Sequence, residues 1–522
     1  MSEKGSESFD ETNANITSNI SSSSDIENEN ENNKFEIQSE VDLKLSLEEK
    51  NEKVEQLANE LGINHKKLMW KIDLWVIPPF CLLYFLAFLD RVNISNAKVY
   101  GIEKSLNLHG NQFAAALTVF FVPYIVFEIL SNYLIKIIKP HTWLSSMIFL
   151  FGMVTLLLAY SKNYAGLIVC RLFLGIFEAG SFPAIFYIIA NFYSPAEALR
   201  RFAFFFNCTC LAGGCAGALA YRIHDLNGKH GLTSWQWIYI IEGAFTMGLA
   251  IPLFFAVTDF PEEARFLNSN ERTFLKRKLE FFQGNSGFEV KQTWKDIAKV
   301  FKEPMLYICA LVYFALVVPA YSYAFFAPTI ITQMGYTAME AQRHSIYPWL
   351  ATMGYSLIIA IVSDYTKIRL PFALIACATA IAGLSMIMTL TDSPNPRYAG
   401  CFLTAMGLYS CMPVFICWMS LNFSGHSRKS VGTAFVIGFG NIGGIIASFI
   451  FPNNESPSYK KGLGICIAFS CLAFVAIIAY YLYLKFQNNR KNSESYKQKW
   501  NLLDKRTQIV KGDENPDFKY WY

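Results

Sequence analysis

The sequence predicts an all-α membrane protein with about twelve transmembrane helices in two six-helix bundles. Composition points there first: 53% of the 522 residues are hydrophobic and 16% are charged, where soluble domains carry about 25% charged residues. Apolar runs then recur at the length a bilayer demands, about 20 residues per helix. They also fall into two groups of six, separated by a polar, basic connector.

The elements follow in order. Residues 1–67 form a polar tail; "SNISSSSDIENENENN" is rich in Asn, Ser and Glu and is expected to be disordered. It lacks the basic start and apolar stretch of a signal peptide. Between Val41 and Leu61, leucines and valines return at helical spacing among Glu and Lys, which predicts a short amphipathic helix lying solvated on the cytoplasmic surface. Ser21 to Ser24 precede Asp25, Glu27 and Glu29, a pattern suited to acid-directed kinases. The N-terminal bundle, 68–258, holds apolar spans at 72–97, 111–134, 142–160, 164–192, 202–222 and 236–258. The connector, 259–303, contains "NERTFLKRKLEFFQGN". The C-terminal bundle, 304–486, holds spans at 304–330, 344–363, 370–390, 398–421, 431–451 and 462–485, and residues 487–522 form a second tail.

Lys and Arg near the span ends set the orientation. With both termini cytoplasmic, that side receives Lys66, Lys67, Lys136, Lys139, Arg200, Arg201, the central "KRK", Lys367, Arg369, Arg428, Lys429, Lys485 and Arg490. The other side keeps fewer: Lys98, Lys104, Arg222, Lys229, Lys460 and Lys461. A weak duplication supports the six-plus-six division: "SNYLIKIIKP" at 131–140 and "SDYTKIRLP" at 363–371 each follow the second span of their half.

Several function classes lose support. A net charge of +4 gives no reason to expect nucleic acid. The 12 cysteines form no CxxC pair and lie mostly in apolar runs, so they read as packing residues, and neither a metal nor a cofactor is expected. "CLAGGCAGALAY" and "GFGNIGG" place Gly213, Gly214, Gly217 and Gly440, Gly443, Gly444 at close helix contacts. Neither run has the lysine and Ser/Thr of a nucleotide loop, which removes the support for ATP-driven pumping. No soluble segment offers room for a catalytic domain, so the protein is not expected to be an enzyme.

Ionisable groups inside spans are costly, about 2.5–3.5 kcal/mol each on insertion scales, and so carry information. In "LIVCRLFLGIFEAGSFPAIFY", Arg171 and Glu178 share a helical face but lie about 10 Å apart along the axis. Each needs a partner on another helix, in a water-filled cavity or on a substrate. Arg171 is a candidate for holding an anion, or else half of a structural ion pair; Glu178 is a candidate proton carrier. In "VPYIVFEILSN", Tyr124, Phe127, Glu128 and Ser131 form one stripe. Glu128 could couple protons, or pair with Arg200 or Arg201 at a cytoplasmic gate. Asp90 and Asn93 in "FLAFLDRVNISNAK" either line a pathway or mark the end of the first span, where Pro78 and Pro79 should bend the helix. Trp235, Trp237 and Glu242 open the sixth span, where aromatic anchoring at the interface is expected.

"LDRVNISNA", "RLFLGIFEAGSFPA", "WQWIYIIEGAFT", "DFPEEARFLNSNER", "MGYTAMEAQ", "NFSGHSRKSVGTAFVIGFGNIGG" and the tail "GDENPDFKYWY" resemble the fungal anion:cation symporters of the major facilitator superfamily. These are the allantoate, nicotinate, pantothenate and biotin permeases, and the resemblance is closest to the nicotinate permeases. It covers about residues 68–522. It implies the major facilitator fold, alternating access around a central cavity, and proton-driven uptake of a small organic anion at the plasma membrane by a monomer. It also implies a substrate and coupling region around Arg171 and Glu178, to which the polar stripes add Asp90, Asn93 and Tyr124 as substrate-side candidates and Glu128 as a proton-side candidate. The loop after the second helix of each half usually carries an Asp. The second copy has Asp364, with Arg369 after it, as a gate; the first has Asn132, which leaves Glu128 as the expected substitute. A transporter-like nutrient sensor signalling through its tail is the alternative.

Overall fold

The computed structural model describes residues 47–283, 300–391, 393–423, 426–452, 455, 458–502, 516 and 519–522. Ser21 to Ser24, positions 41–46 of the expected amphipathic helix, and the side chains of Asn132, Arg428 and Lys429 lie outside the described residues. All regular structure among the described residues is helical.

In the N-terminal half, α1 spans Leu47–Glu60, α2 His65–Val99, α3 Ile102–Ser105, α4 Gln112–Ile137, α5 Pro140–Leu158, α6 Tyr164–Glu178, α7 Ser181–Phe192, α8 Pro195–Ile223 and α9 Ser234–Ala256. The connector carries α10, Ser269–Gln283. The C-terminal half has α11 at Pro304–Thr332, α12 at Ala338–Thr366, α13 at Leu370–Thr389, α14 at Pro394–Asn422, α15 at His426–Phe449 and α16 at Lys460–Lys491, followed by α17 at Glu494–Asn501. Among the described residues, eleven helices are long and apolar enough to cross a membrane, α6 and α7 counting as one, and Gln112–Glu128 of α4 is a shorter apolar helix.

Local sequence explains the starts. Asn64 caps α2 by accepting from Lys67 N at 3.0 Å, and Asn163 caps α6 by accepting from Gly166 N at 2.9 Å. Capping boxes open α8 with Ser194 and Glu197, α9 with Thr233 and Gln236, and α12 with Thr337 and Glu340. Apolar side chains such as Phe255, Ile361, Val475 and Phe486 remain exposed on the outer surface, as lipid contact requires.

The fourth crossing is broken, a feature the apolar pattern at 164–192 did not announce. Gly180 adopts φ +78° directly after Glu178 and Ala179, and the chain restarts as α7. A Cβ at Gly180 would sit 2.3 Å from both Cβ and Oγ of Ser131 on α4. The break thus needs glycine twice: for left-handed backbone and for close approach.

The glycines of the fifth and eleventh spans build the contacts expected of them. A Cβ on Gly213 would lie 2.4 Å from Trp349 and one on Gly217 2.6 Å from Ser345 Oγ, both on α12. Gly444 brings α15 against Phe121 of α4, where a Cβ would lie 2.4 Å from the ring. The halves meet along α8 on α12 and α4 on α15, and also along α2 on α11. All twelve cysteines are free, with Cys471 exposed and the others buried or partly buried.

The short N-terminal helix differs from its expected solvated state. Val54, Leu57 and Ala58 are buried where α1 packs on the connector helix α10. The connector is fixed in turn: Lys278 Nζ bonds Glu197 at 2.8 and 2.9 Å, and Lys71 Nζ meets Glu271 at 2.7 Å.

Candidate transport site

Two neighbouring residues of α2 organise the centre. Asp90 and Arg91 point about 100° apart around the helix, as consecutive positions must. Each finds an opposite charge on α6. Arg171 Nη1 lies 3.4 Å from Asp90 Oδ2, and Arg91 pairs with Glu178. Thus α2 and α6 are tied by two ion pairs of reversed polarity. All four side chains are buried.

The two pairs have different surroundings. Arg171 Nη2 donates to the Tyr239 hydroxyl at 3.1 Å, and Thr155 donates to Asp90 at 3.4 Å. These partners belong to the N-terminal half. Asp90 therefore does not mark the end of the first span, since α2 runs on to Val99. Arg91 lies at the junction of the halves. It donates to the Tyr321 hydroxyl of α11, and its guanidinium sits 4.9 Å from the Tyr124 ring centroid, 5.4 Å from Phe120 and 5.8 Å from Tyr321. Tyr321 in turn donates to Asn441 of α15 at 3.4 Å.

Asn93 and Glu242 form a second buried cluster. Asn93 Nδ2 donates to Glu242 Oε2 at 2.7 Å, and Asn96 donates to Asn93 at 2.9 Å. This corrects the expected interfacial role at the start of the sixth span: Trp235 and Glu242 are each 1% exposed and packed inside the bundle. Their partners lie across the bundle, which local sequence does not disclose.

Glu128 also departs from expectation. It is buried, and the polar side chain beside its carboxylate is Asn441 of α15. Arg200 and Arg201, its expected partners, are engaged with Asp364 and Asp73. Glu128 instead faces the other half, with Oε2 3.8 Å from the place a Cβ would occupy on Gly438. Among the described residues, the buried mid-span ionisable groups thus comprise four carboxylates, Asp90, Glu128, Glu178 and Glu242, against two guanidiniums, Arg91 and Arg171, all in the N-terminal half.

Asp364 and Arg369 come together on the face that carries residues 520–522. Arg369 Nη2 bonds Asp364 Oδ1 at 2.8 Å and Nη1 donates to Ser363 Oγ at 3.0 Å. Arg200 of the other half reaches Asp364 Oδ2 at 2.5 Å. On the opposite face Lys98 lies 5.1 Å above the Phe326 ring of α11. Between these contacts, Tyr84, Phe88, Phe206, Tyr321 and Tyr409 line a cavity of about 30 Å³ shared by both halves. That space holds about two waters and is far smaller than the several hundred Å³ of a ligand pocket.

The Major Facilitator Superfamily profile matches residues 80–448. The chain belongs to this superfamily. Among curated relatives of this facilitator, the high-affinity nicotinic acid transporter of Saccharomyces cerevisiae is 31% identical over 469 residues, covering 88% of this chain and 85% of the relative. The MFS transporter prlL of a fungal species is 32% identical, covering 82% and 88%. The solved proton:xylose symporter XylE, bound to 6-bromo-6-deoxy-D-glucose, superposes with a TM-score of 0.59 at 14% identity over 78% of this chain and 96% of that one; this establishes the shared fold.

Arg91, Tyr239, Tyr321, Asn441 and Glu242 are the central residues that sequence reasoning did not assign to the site. One signal was available: Arg91 stands beside Asp90, and two mid-span charges of opposite sign on adjacent positions cannot both be placed at one surface.

Proposed function

We propose that this facilitator imports a small organic monocarboxylate, with nicotinate the leading candidate, in symport with protons at the plasma membrane, both termini being cytoplasmic. The observation that carries the reading is Arg91. It is a buried guanidinium at the junction of the halves, held by one carboxylate, one hydroxyl and aromatic rings.

An anion leaving water needs a fixed positive charge to replace its hydration. A guanidinium supplies that with two parallel hydrogen bonds. While Glu178 is ionised it occupies Arg91. When Glu178 takes a proton, it no longer competes, and a substrate carboxylate takes its place. Loss of the proton returns Glu178 to Arg91 and expels the anion. Proton and anion are then bound together and released together. The charge count agrees: four buried carboxylates beside two guanidiniums call for protons. Glu128, buried and facing Asn441 and Gly438 of the C-terminal half, is the second acceptor we assign.

In this scheme Arg171 has a supporting role, because Asp90 and Tyr239 already engage it. Asn93 and Tyr124 support the site through Glu242 and the Arg91 cage. Asp364, Arg369 and Arg200 close the face bearing the chain ends. The homologous nicotinic acid transporter and the aromatic lining favour a planar ring carboxylate.

Radiolabelled uptake into yeast lacking its own permeases, with a panel of carboxylates and a proton uncoupler, tests this. Uptake that survives the uncoupler refutes proton coupling. Failure to take up any carboxylate refutes the anion assignment.

A further inference from the structure

Residues 520–522 are held in a built groove on the face that carries Asp364 and Arg369. Two asparagine side chains grip the backbone. Asn488 accepts from Tyr520 N at 2.9 Å and donates to Tyr520 O at 3.0 Å. Asn422 accepts from Trp521 N at 2.8 Å and donates to Trp521 O at 3.2 Å, an oxygen that also accepts from Trp418 Nε1 at 2.8 Å. Lys491 Nζ lies 3.8 Å over the Tyr520 ring. Asn422, Asn488 and Lys491 are themselves buried.

The next contact reaches the gate. Tyr522 O accepts from the backbone N of Arg369 at 3.0 Å. The Arg369 side chain holds Asp364, which Arg200 of the other half also holds. The segment thus joins α14, α16 and the start of α13 at the residue that positions the inter-half ion pair.

We propose that this groove is an extended-peptide binding site whose resident ligand is Tyr520–Tyr522, and that its occupancy holds the gate closed on this face. Paired amide bonds to backbone N–H and C=O are the chemistry by which a protein adds a strand to itself. An asparagine that both donates and accepts does this without a sheet.

The native Cys417, buried beside Arg369 and Asp364, reports on the gate. Full-length protein in isolated membranes is treated with a permeant maleimide, and labelling at Cys417 is read by peptide mass spectrometry. The readout needs no substrate, so it stands apart from the assigned function. Asn488→Ala removes both backbone bonds to Tyr520, and Asn422→Ala removes those to Trp521. Each is expected to raise the Cys417 labelling rate about two- to fivefold, the scale set by a gate ion pair worth up to about 1 kcal/mol. Asp364→Asn should raise it similarly. Adding Asn488→Ala to Asp364→Asn should then add nothing, because both act through one contact. Unchanged labelling in Asn488→Ala and Asn422→Ala, no effect of Asp364→Asn, or full additivity in the double variant would each overturn the proposal.

Discussion

Replacing Glu178 by Gln tests the exchange of partners at Arg91 directly. The substitution keeps the shape of the side chain and removes its charge. Breaking a buried ion pair on one side costs about 3–5 kcal/mol. Here part of that loss is offset. Arg91 retains the Tyr321 hydroxyl and three aromatic faces within 5.8 Å, and each face contributes about 0.5–2 kcal/mol to a desolvated cation. The net destabilisation should therefore be about 1–3 kcal/mol, and the protein should still fold. The same charge that has lost its partner is now available to an anion. If only about 1.4 kcal/mol of the liberated interaction passes to the ligand, nicotinate binds about tenfold more tightly. Purified protein in proteoliposomes gives two readouts. Equilibrium binding of radiolabelled nicotinate should be tighter than in the wild type at neutral pH and nearly independent of pH. Counterflow exchange should persist while accumulation under an imposed proton gradient is lost. Weaker binding than wild type, or undiminished accumulation, would refute the competition between Glu178 and substrate.

Three further outcomes follow from the geometry. Arg171→Lys cannot serve both Asp90 and Tyr239 as the guanidinium does and should lower thermal stability by about 1–3 kcal/mol with nicotinate affinity unchanged, whereas Arg91→Lys should lose affinity at least about tenfold; the reverse pattern would return the anion site to Arg171. Gly180→Ala forces a side chain into left-handed backbone and against Ser131; a loss of about 2–4 kcal/mol, seen as a lower melting temperature of the purified protein, is expected, and wild-type melting would refute the need for glycine there. Glu197→Gln leaves Lys278, 1% exposed, without its carboxylate and should cost about 3 kcal/mol at neutral pH. Burial pushes the Glu197 carboxyl up, but Lys278 and the Ser194 cap outweigh it and hold it below its usual value. Its contribution is therefore present above the unfolded carboxylate range and fades as pH falls through the lower folded value, so the gap in melting temperature between variant and wild type should close in acid; a constant gap would refute the linkage.

The spans were legible because lipid imposes one demand, length of apolar helix, and the sequence answers it run by run. The expected span 304–330 corresponds to Pro304–Thr332, and 370–390 to Leu370–Thr389. The site was legible only in part. Periodicity put Arg171 and Glu178 on one helical face, but it does not say which neighbour that face meets. The answer depends on Asp90 and Arg91 diverging around α2, a property of helix crossing rather than of either helix alone. The break at Gly180 was hidden for a related reason: glycine in a membrane helix usually marks close packing, and here it does that while also ending a helix. Glu242 stands five residues after Trp237, near the start of the sixth span, so an interface was the natural reading until its partner on α2 was in view.

The confinement of mid-span ionisable side chains to the N-terminal half has an electrical consequence. Moving one elementary charge through the whole membrane potential is worth about 2.3 kcal/mol per 100 mV. The mid-span stretches of α11 to α16 carry no Asp, Glu, Lys or Arg; their charges, such as Arg397 and Arg490, lie near helix ends. If the C-terminal half rocks against a stationary N-terminal half, it sweeps almost no fixed charge through the field. Voltage then reaches the cycle through the buried groups of the N-terminal half and the cargo they hold, not through the half that moves.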